Sequence, residues 1–146
     1  MIYKPPEYPL NIDRKYTDLL FLGGTISGSV DWQAVIGPQL EDRGFTVLNP
    51  RRDDFNTLNK AMEKEQIEWE HYYLEWCSNL FFYFSSETVA PITLFEYGCY
   101  IESEQKKIVV YAHPKYPRLR DLLIQTELRN PNIFVNVKDL SKGLYD

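Results

Sequence analysis

The sequence predicts an α/β protein built as a three-layer sandwich, with a five-stranded parallel sheet between two layers of helices. Short apolar runs alternate five times with longer amphipathic segments, which is the order of repeated strand–helix units. The first of them, 18–24, is a short continuous apolar run that stops at paired glycines, as expected of a strand that helices cover on both faces. The predicted strands are 18–24, 45–50, 79–86, 107–114 and 132–137.

The helices in the first half of the chain have recognisable start and stop signals. The first helix, 31–44, has Asp31 as a plausible N-cap and Gly44 as its stop, and Pro38 makes it irregular or short. The helix over 60–77 has the strongest helical periodicity of apolar residues. Each helix is the next element after a strand, as crossover connections in a parallel sheet require.

The second half of the chain continues the same alternation. A helix over 92–105 has Thr93 as its expected cap, and the helix over 118–130 places its leucines on one face. A short helix is expected after Val137. The chain therefore predicts one domain over 18–146, preceded by an extended arm at 1–17 that is rich in proline and tyrosine.

Composition excludes several classes of protein. The net charge of −5 argues against binding a nucleic-acid polymer through its phosphates. No apolar stretch is long enough to cross a membrane, and there is no apolar leader. Two cysteines and two histidines, at no metal-ligand spacing, predict free thiols and no zinc site. We expect a soluble cytoplasmic protein without a metal or another cofactor.

The loop after the first strand is a candidate ligand-binding loop. Gly23 and Gly24 allow the backbone to approach a ligand closely, and Thr25 and Ser27 add hydroxyl groups. The loop has neither the dinucleotide-binding glycine spacing nor a phosphate-binding lysine. A tight strand-to-helix turn explains the glycines equally well, so both interpretations remain open.

The loop after the second strand places two arginines beside two aspartates. Arg51 and Arg52 could hold a phosphate or stack on a base, and Asp53 or Asp54 could accept hydrogen bonds from ring nitrogens. Such adjacent opposite charges often form only a solvated surface cluster. Their position at the carboxyl end of a parallel strand favours the functional interpretation, because ligands bind at that edge of the sheet.

Two glutamates stand in unusually apolar surroundings. Glu96 lies between Phe95 and Tyr97, and its position after Thr93 fits a simple capping box as well as a functional role. In the functional interpretation, the helix N-terminus keeps the carboxylate ionised and the aromatic rings keep it dry, which suits attack on a cationic sugar carbon. Glu70 follows Trp69 on a face predicted to be partly buried.

Four stretches in order resemble the nucleoside 2-deoxyribosyltransferase superfamily, and within it the 2-deoxyribosyltransferase-like branch. They are "FLGGTISGSVDWQ" (21–33), "LNPRRDDF" (48–55), "QIEWEHYYLEWCSN" (66–79) and "FFYFSSETVAPITLFEYG" (81–98). The resemblance implies a flavodoxin-like, Rossmann-like fold and an active site completed by a neighbouring subunit, hence a homodimer or a larger homo-oligomer. It also implies a nucleophilic glutamate in an E-x-G motif, here Glu96.

The resemblance further implies a second acid on the preceding helix, eight residues before an Ala-Asp pair. Here Glu70 precedes Ser78 by eight, although the family's aspartate is absent. The chain also lacks the first-loop arginine and the Ser-x-Gly-x-Gly run of members that hydrolyse nucleoside monophosphates. Arg51 and Arg52 remain the alternative ligands for a 5′-phosphate.

The implied reaction breaks the bond between a base and its sugar. The base would stack on Phe21 or Trp32, Glu96 would attack C1′, and Glu70 or Asp54 would protonate the departing base. A second base or water would then take the sugar, with retention of configuration. The alternatives are a nucleotide sensor that binds without turnover and a structural or interaction protein.

Overall fold

The computed structural model describes residues 1–8, 18–53 and 59–145, and it confirms the α/β class and the parallel sheet. Within these residues the sheet has six strands in the order β1-β3-β2-β4-β5-β6. The strands are β1 (Ile2–Tyr3), β2 (Leu19–Gly24), β3 (Thr46–Leu48), β4 (Asn79–Phe84), β5 (Lys107–Ala112) and β6 (Val135–Val137). The helices are α1 (Trp32–Asp42), α2 (Lys60–Trp76), α3 (Pro91–Tyr100) and α4 (Leu119–Arg129), and a 3-10 turn follows at Leu140–Lys142.

The sequence predicted five strands, and the additional strand in the structure is β1. It lies within the segment predicted to be an extended arm. It pairs in parallel with the outer edge of β3, and Asn49 N–H donates to the Tyr3 carbonyl at 2.8 Å. The terminal ammonium group also contacts Glu41 at 2.8 Å. Two residues are too few for any periodicity, so the sequence could not distinguish this strand from a loop. The rest of the predicted arm, 9–17, lies outside the described residues.

The sheet divides the core into two halves, and most of the aromatic residues are used there. On one face Phe21 packs against Trp69, and on the other Trp32 packs against Phe81 and Tyr83. All six residues of β4 are buried, which explains why this strand reads as a continuous apolar run. Packing in the two halves of the core therefore accounts for most of the high aromatic content.

The strand order places the topological switch point between β2 and β4. From β2 the chain moves outward to β3, and it then crosses back to form β4 on the other side of β2. The loops that follow β2 and β4 consequently diverge and leave a crevice at the carboxyl ends of the strands. This crevice is where a ligand site is expected.

The helices differ from the sequence-based expectation mainly at their ends. Asp31 does cap α1, accepting a hydrogen bond from Ala34 N–H at 3.0 Å, and α1 continues through Pro38. Thr93, by contrast, is not a cap, because α3 begins at Pro91 with Ala90 as its N-cap. Pro91 supplies the favoured first-turn residue that the sequence analysis overlooked. None of the helices in the described part of the chain is long and apolar enough to cross a membrane.

Candidate functional site

A cleft of about 570 Å³ opens at the switch point. Four segments line it: the loop over 24–27, the loop after β3 at Pro50 and Arg52, the face of α2 that carries Gln66 and Glu70, and α3 with the residues just before it. The two predicted glutamates, Glu70 on α2 and Glu96 on α3, therefore share one cavity with the loop over 24–27. Its volume is within the range typical of small-molecule sites.

The packing of α3 explains why Glu96 faces the cleft. The next residue, Tyr97, is buried against Phe82 and Phe84, and its hydroxyl forms a 2.7 Å hydrogen bond with Thr126. Successive residues of a helix point about 100° apart, so anchoring Tyr97 in the core turns Glu96 towards the cleft. The two aromatic neighbours of Glu96 therefore have different roles: Tyr97 anchors the helix in the core, whereas Phe95 is exposed at the cleft.

The core also orients the acid on α2. Trp69 is fully buried, and its indole N–H donates to the Glu7 carbonyl at 2.7 Å. Glu70 is consequently turned towards the cleft, where Gln66, one helical turn earlier, donates from Nε2 to Glu70 Oε1 at 3.4 Å. Gln66 also lines the cleft, and the sequence analysis did not identify it.

The two carboxyl groups have unusual proton affinities. Burial, reinforced by the charge of Glu70, raises the pKa of Glu96 to about 8. Burial raises the pKa of Glu70 to about 7, against the opposing hydrogen bond from Gln66. The expectation that the helix N-terminus keeps Glu96 ionised is therefore wrong: Glu96 is the sixth residue of α3, beyond the first turn where the helix dipole acts.

Arg51 holds the first loop rather than extending into the cleft. Its guanidinium donates to the Ile26 carbonyl, to the Ser29 hydroxyl at 2.9 Å and to the Ser29 carbonyl at 3.2 Å. It also lies 3.4 Å from the Asp31 carboxylate. The side chain thus links the end of β3 to the loop after β2 and to the cap of α1.

The other charged residues of the second loop are separated by the fold. Arg52 lines the cleft and is 7% exposed, and it forms a 2.7 Å ion pair with Glu65. Asp53 points to solvent, with its side chain 92% exposed and 3.6 Å from Lys4. Asp54 lies outside the described residues, so its expected role remains a prediction.

The two glycines of the first loop are required by packing. A Cβ atom at Gly23 would lie 2.6 Å from the Phe82 ring, and one at Gly24 would lie 2.5 Å from the Trp32 ring. Only Gly24 lines the cleft, together with Thr25 and Ser27. Both glycines lie within β2 rather than in a tight turn, and close packing against these rings accounts for both of them.

Neither aromatic residue expected to stack on a base is accessible. Phe21 and Trp32 are each 1% exposed, and neither ring lines the cleft. The accessible apolar side chains at the cleft are instead Ile67, Ile92 and Phe95, which are 57%, 66% and 71% exposed. The sequence signal that could have identified two of them is the i, i+3, i+4 spacing of Ile92 and Phe95 with Glu96.

Comparison with known proteins matches one family to the part of the chain that forms the cleft. A family model described as "Nucleoside 2-deoxyribosyltransferase like" matches residues 18–116, which is more than half of the chain and includes every strand and helix that lines the cleft. No curated protein matches the chain.

Proposed function

The chain belongs to the nucleoside 2-deoxyribosyltransferase-like family, and on that basis we propose that it cleaves or transfers the N-glycosidic bond of a nucleoside with Glu96 as its nucleophile. The observation that carries this proposal is the pair formed by Glu96 and Glu70 in one cleft. Two interacting carboxyl groups with raised pKa values can hold one proton between them near neutral pH. Displacement of a base by a carboxylate requires one ionised carboxyl group as the nucleophile and one protonated carboxyl group as the acid.

In the first step, an oxygen of the Glu96 carboxylate forms a bond to C1′ while the bond from C1′ to the base breaks. The bonding electrons move to the base nitrogen, and the Glu70 carboxyl group supplies the proton that neutralises the base. In the second step, a second base or water attacks C1′, the ester bond to Glu96 breaks, and Glu70 accepts the proton of the attacking group. Two displacements at C1′ retain the configuration.

Once a substrate is bound, we expect the proton that the two acids share to lie on Glu70, which fits the roles of Glu70 as acid and Glu96 as nucleophile. In the ligand-free protein the pKa of Glu96 is raised more than that of Glu70. The Glu70 carboxyl group can donate a hydrogen bond to a base nitrogen, which stabilises the form of the pair that is protonated on Glu70. With the shared proton on Glu70, Glu96 is ionised. Substrate binding would thereby generate the nucleophile.

The charges around the cleft favour a substrate without a 5′-phosphate. Both arginines expected to hold a phosphate are engaged, Arg51 by the first loop and Arg52 by Glu65. Three acids line the same cleft, Glu63, Glu70 and Glu96. A phosphate would therefore meet an environment that is negative on balance.

The accessible apolar rim supports binding of a flat base. Ile92 and Phe95 lie on the same side of α3 as Glu96, so a base resting on them would place its sugar near the carboxylate. This assigns to Phe95 the stacking role that the sequence analysis gave to Phe21 or Trp32. We also propose, from family membership, that the protein assembles as a homodimer or larger, which light scattering would measure.

Release of free base from a panel of deoxynucleosides and their 5′-monophosphates, with and without an acceptor base, tests the function. Chromatography should show release that Glu96→Ala abolishes, while Glu127→Ala, an exposed acid on α4, retains it. Tight nucleoside binding without release would favour the sensor. Full activity in Glu96→Gln would refute the nucleophile while leaving the fold untouched.

A further inference from the structure

The side-chain amide of Gln66 is held in a single orientation. The residue is 6% exposed and lines the cleft. Its nitrogen donates to the Pro50 carbonyl at 2.7 Å and to Glu70 Oε1 at 3.4 Å. A carbonyl oxygen can only accept, so Nε2 must be the atom that faces Pro50. The oxygen, Oε1, therefore faces away from the Pro50 carbonyl.

That oxygen is buried, and it has no hydrogen-bond partner among the residues that the structure describes. Leaving a buried acceptor without a partner destabilises a protein, so such atoms are rare unless a water or ligand completes them. Gln66 lines the cleft, and a ligand bound there is therefore the natural source of the missing donor.

The acid one helical turn later complements this acceptor. Glu70 lines the same cleft, and burial raises its pKa, so near neutral pH it can donate a proton as well as accept one. Side chains four residues apart lie next to each other on a helix. The face of α2 therefore offers a fixed acceptor beside a carboxyl group that can donate.

We propose that Gln66 and Glu70 together select bases that carry an exocyclic amino group next to an unprotonated ring nitrogen. The amino group would donate to Gln66 Oε1, and the ring nitrogen would accept from the Glu70 carboxyl group. Adenine and cytosine present this pair, whereas hypoxanthine and uracil present a carbonyl oxygen in place of the amino group. The inference rests on the proposed function, because it assigns a base to the same cleft.

Gln66 is the residue that discriminates, because its oxygen cannot become a donor. A carbonyl-bearing base would place one acceptor against another and leave the amide oxygen without a partner. Glu70 can adapt by losing its proton, but the amide cannot. A site that satisfies a buried polar group with one substrate rejects the analogue that lacks the donor.

The test compares pairs of nucleosides that differ only by amine and carbonyl: deoxyadenosine with deoxyinosine, and deoxycytidine with deoxyuridine. For the wild-type protein, kcat/KM should favour the amino-bearing member of each pair by about tenfold or more. Equal values, or a preference for the carbonyl-bearing member, would overturn the inference while the proposed function stood.

Two variants separate base selection from a structural role of the amide. Gln66→Met removes the acceptor and should bring the ratio close to one, whereas Gln66→Glu keeps an acceptor oxygen and should retain the preference. Both variants lose the bond to Pro50, so a purely structural role would lower all rates in both and leave the ratio unchanged. Gln125→Met, on the exposed face of α4, is the matched control.

A binding measurement on the wild-type protein distinguishes failure of the inference from failure of the function. Isothermal titration with adenine and hypoxanthine requires no turnover. Tighter binding of adenine without release of base from any nucleoside would support the base selection and refute the enzyme. Equal binding of the two bases would overturn the selection even if base release occurred.

Discussion

The Arg51 guanidinium donates a 2.9 Å hydrogen bond to the Ser29 hydroxyl, and it thereby fastens the loop after β2 to the end of β3. Arg51 also donates to carbonyl groups of the same loop. One wall of the cleft, at 24–27, is thus held by a side chain that does not itself line the cleft.

Arg51→Ala is therefore expected to raise KM about tenfold with a smaller effect on kcat, because the loop lines the cleft and the two acids lie on other elements. Amide hydrogen exchange over 24–29 should become faster in the variant. Guanidinium ion at millimolar concentration should restore part of the lost affinity. Arg118→Ala, which removes a surface ion pair with Asp121, is the control. Amide hydrogen exchange over 24–29 that is as slow in the variant as in the wild type would contradict this role of Arg51.

Glu96→Gln is expected to stabilise the protein near pH 8 and to have little effect near pH 4. The pKa of Glu96 is raised from 4.5 to about 8, so between these values the unfolded chain ionises while the folded protein keeps its proton. The free energy of unfolding therefore falls as pH rises through this range. Allowing for partial solvent access, the neutral side chain should add about 2 kcal/mol near pH 8.

Urea denaturation of both proteins across this range measures the difference. Glu127→Gln should show no comparable dependence on pH, because this side chain is exposed on α4. A constant difference between Glu96→Gln and wild type at all pH values would show that Glu96 is not held in a poorly solvated environment.

Base release should be fastest near neutral pH and fall on both sides. Raised pKa values at Glu70 and Glu96 imply that the pair carries two protons in acid, one near neutrality and none in alkali. Only the singly protonated pair provides both a nucleophile and an acid. Steady-state kcat/KM measured across pH should be bell-shaped, and Glu70→Gln should lose the alkaline limb. A flat profile in the wild type would exclude a shared proton.

Gly23→Ala should destabilise the fold by about 1–3 kcal/mol, because its Cβ atom would lie 2.6 Å from the Phe82 ring in a packed core. Gly98→Ala provides the contrast. Among the described residues, no atom beyond the adjacent residues and the backbone of α3 itself lies within 4 Å of a Cβ atom at Gly98, and the change raises helix propensity, so α3 should gain about 0.5–1 kcal/mol. Thermal unfolding compares the two, and equal losses would contradict the packing argument.

Phe95→Ala should raise KM for nucleosides about five- to tenfold and leave thermal stability almost unchanged. The ring is 71% exposed at the cleft, so it contributes little to the core, and its loss removes an apolar surface for the base. Phe134→Ala is the matched control, since Phe134 is 79% exposed and does not line the cleft. An unchanged KM in Phe95→Ala would show that the base binds elsewhere.

Much of the fold and part of the site could be read from the chain. The alternation of apolar strands and amphipathic helices is local, so it predicted the class of fold and the edge at which the loops meet. Glu96 and Glu70 were identified because a carboxylate between apolar neighbours is costly to bury without a reason. Both now lie in one cleft.

The errors at the site came mainly from interactions between residues distant in the chain. Phe21 and Trp32 looked like stacking platforms, but a sequence does not say which aromatic rings the core will cover. Arg51 looked like a phosphate ligand until the fold brought it to the carbonyl groups of the first loop. Gln66 had no distinguishing sequence feature, since only its contact with Pro50 fixes its amide.

The sequence by itself determined the main strands and helices after residue 18 and which residue types the loops present, because periodicity acts over a few residues. Only the tertiary structure decided which side chains face the cleft and which acids have raised pKa values. Those properties depend on burial and on charges brought together by packing, and burial is a property of the whole folded chain.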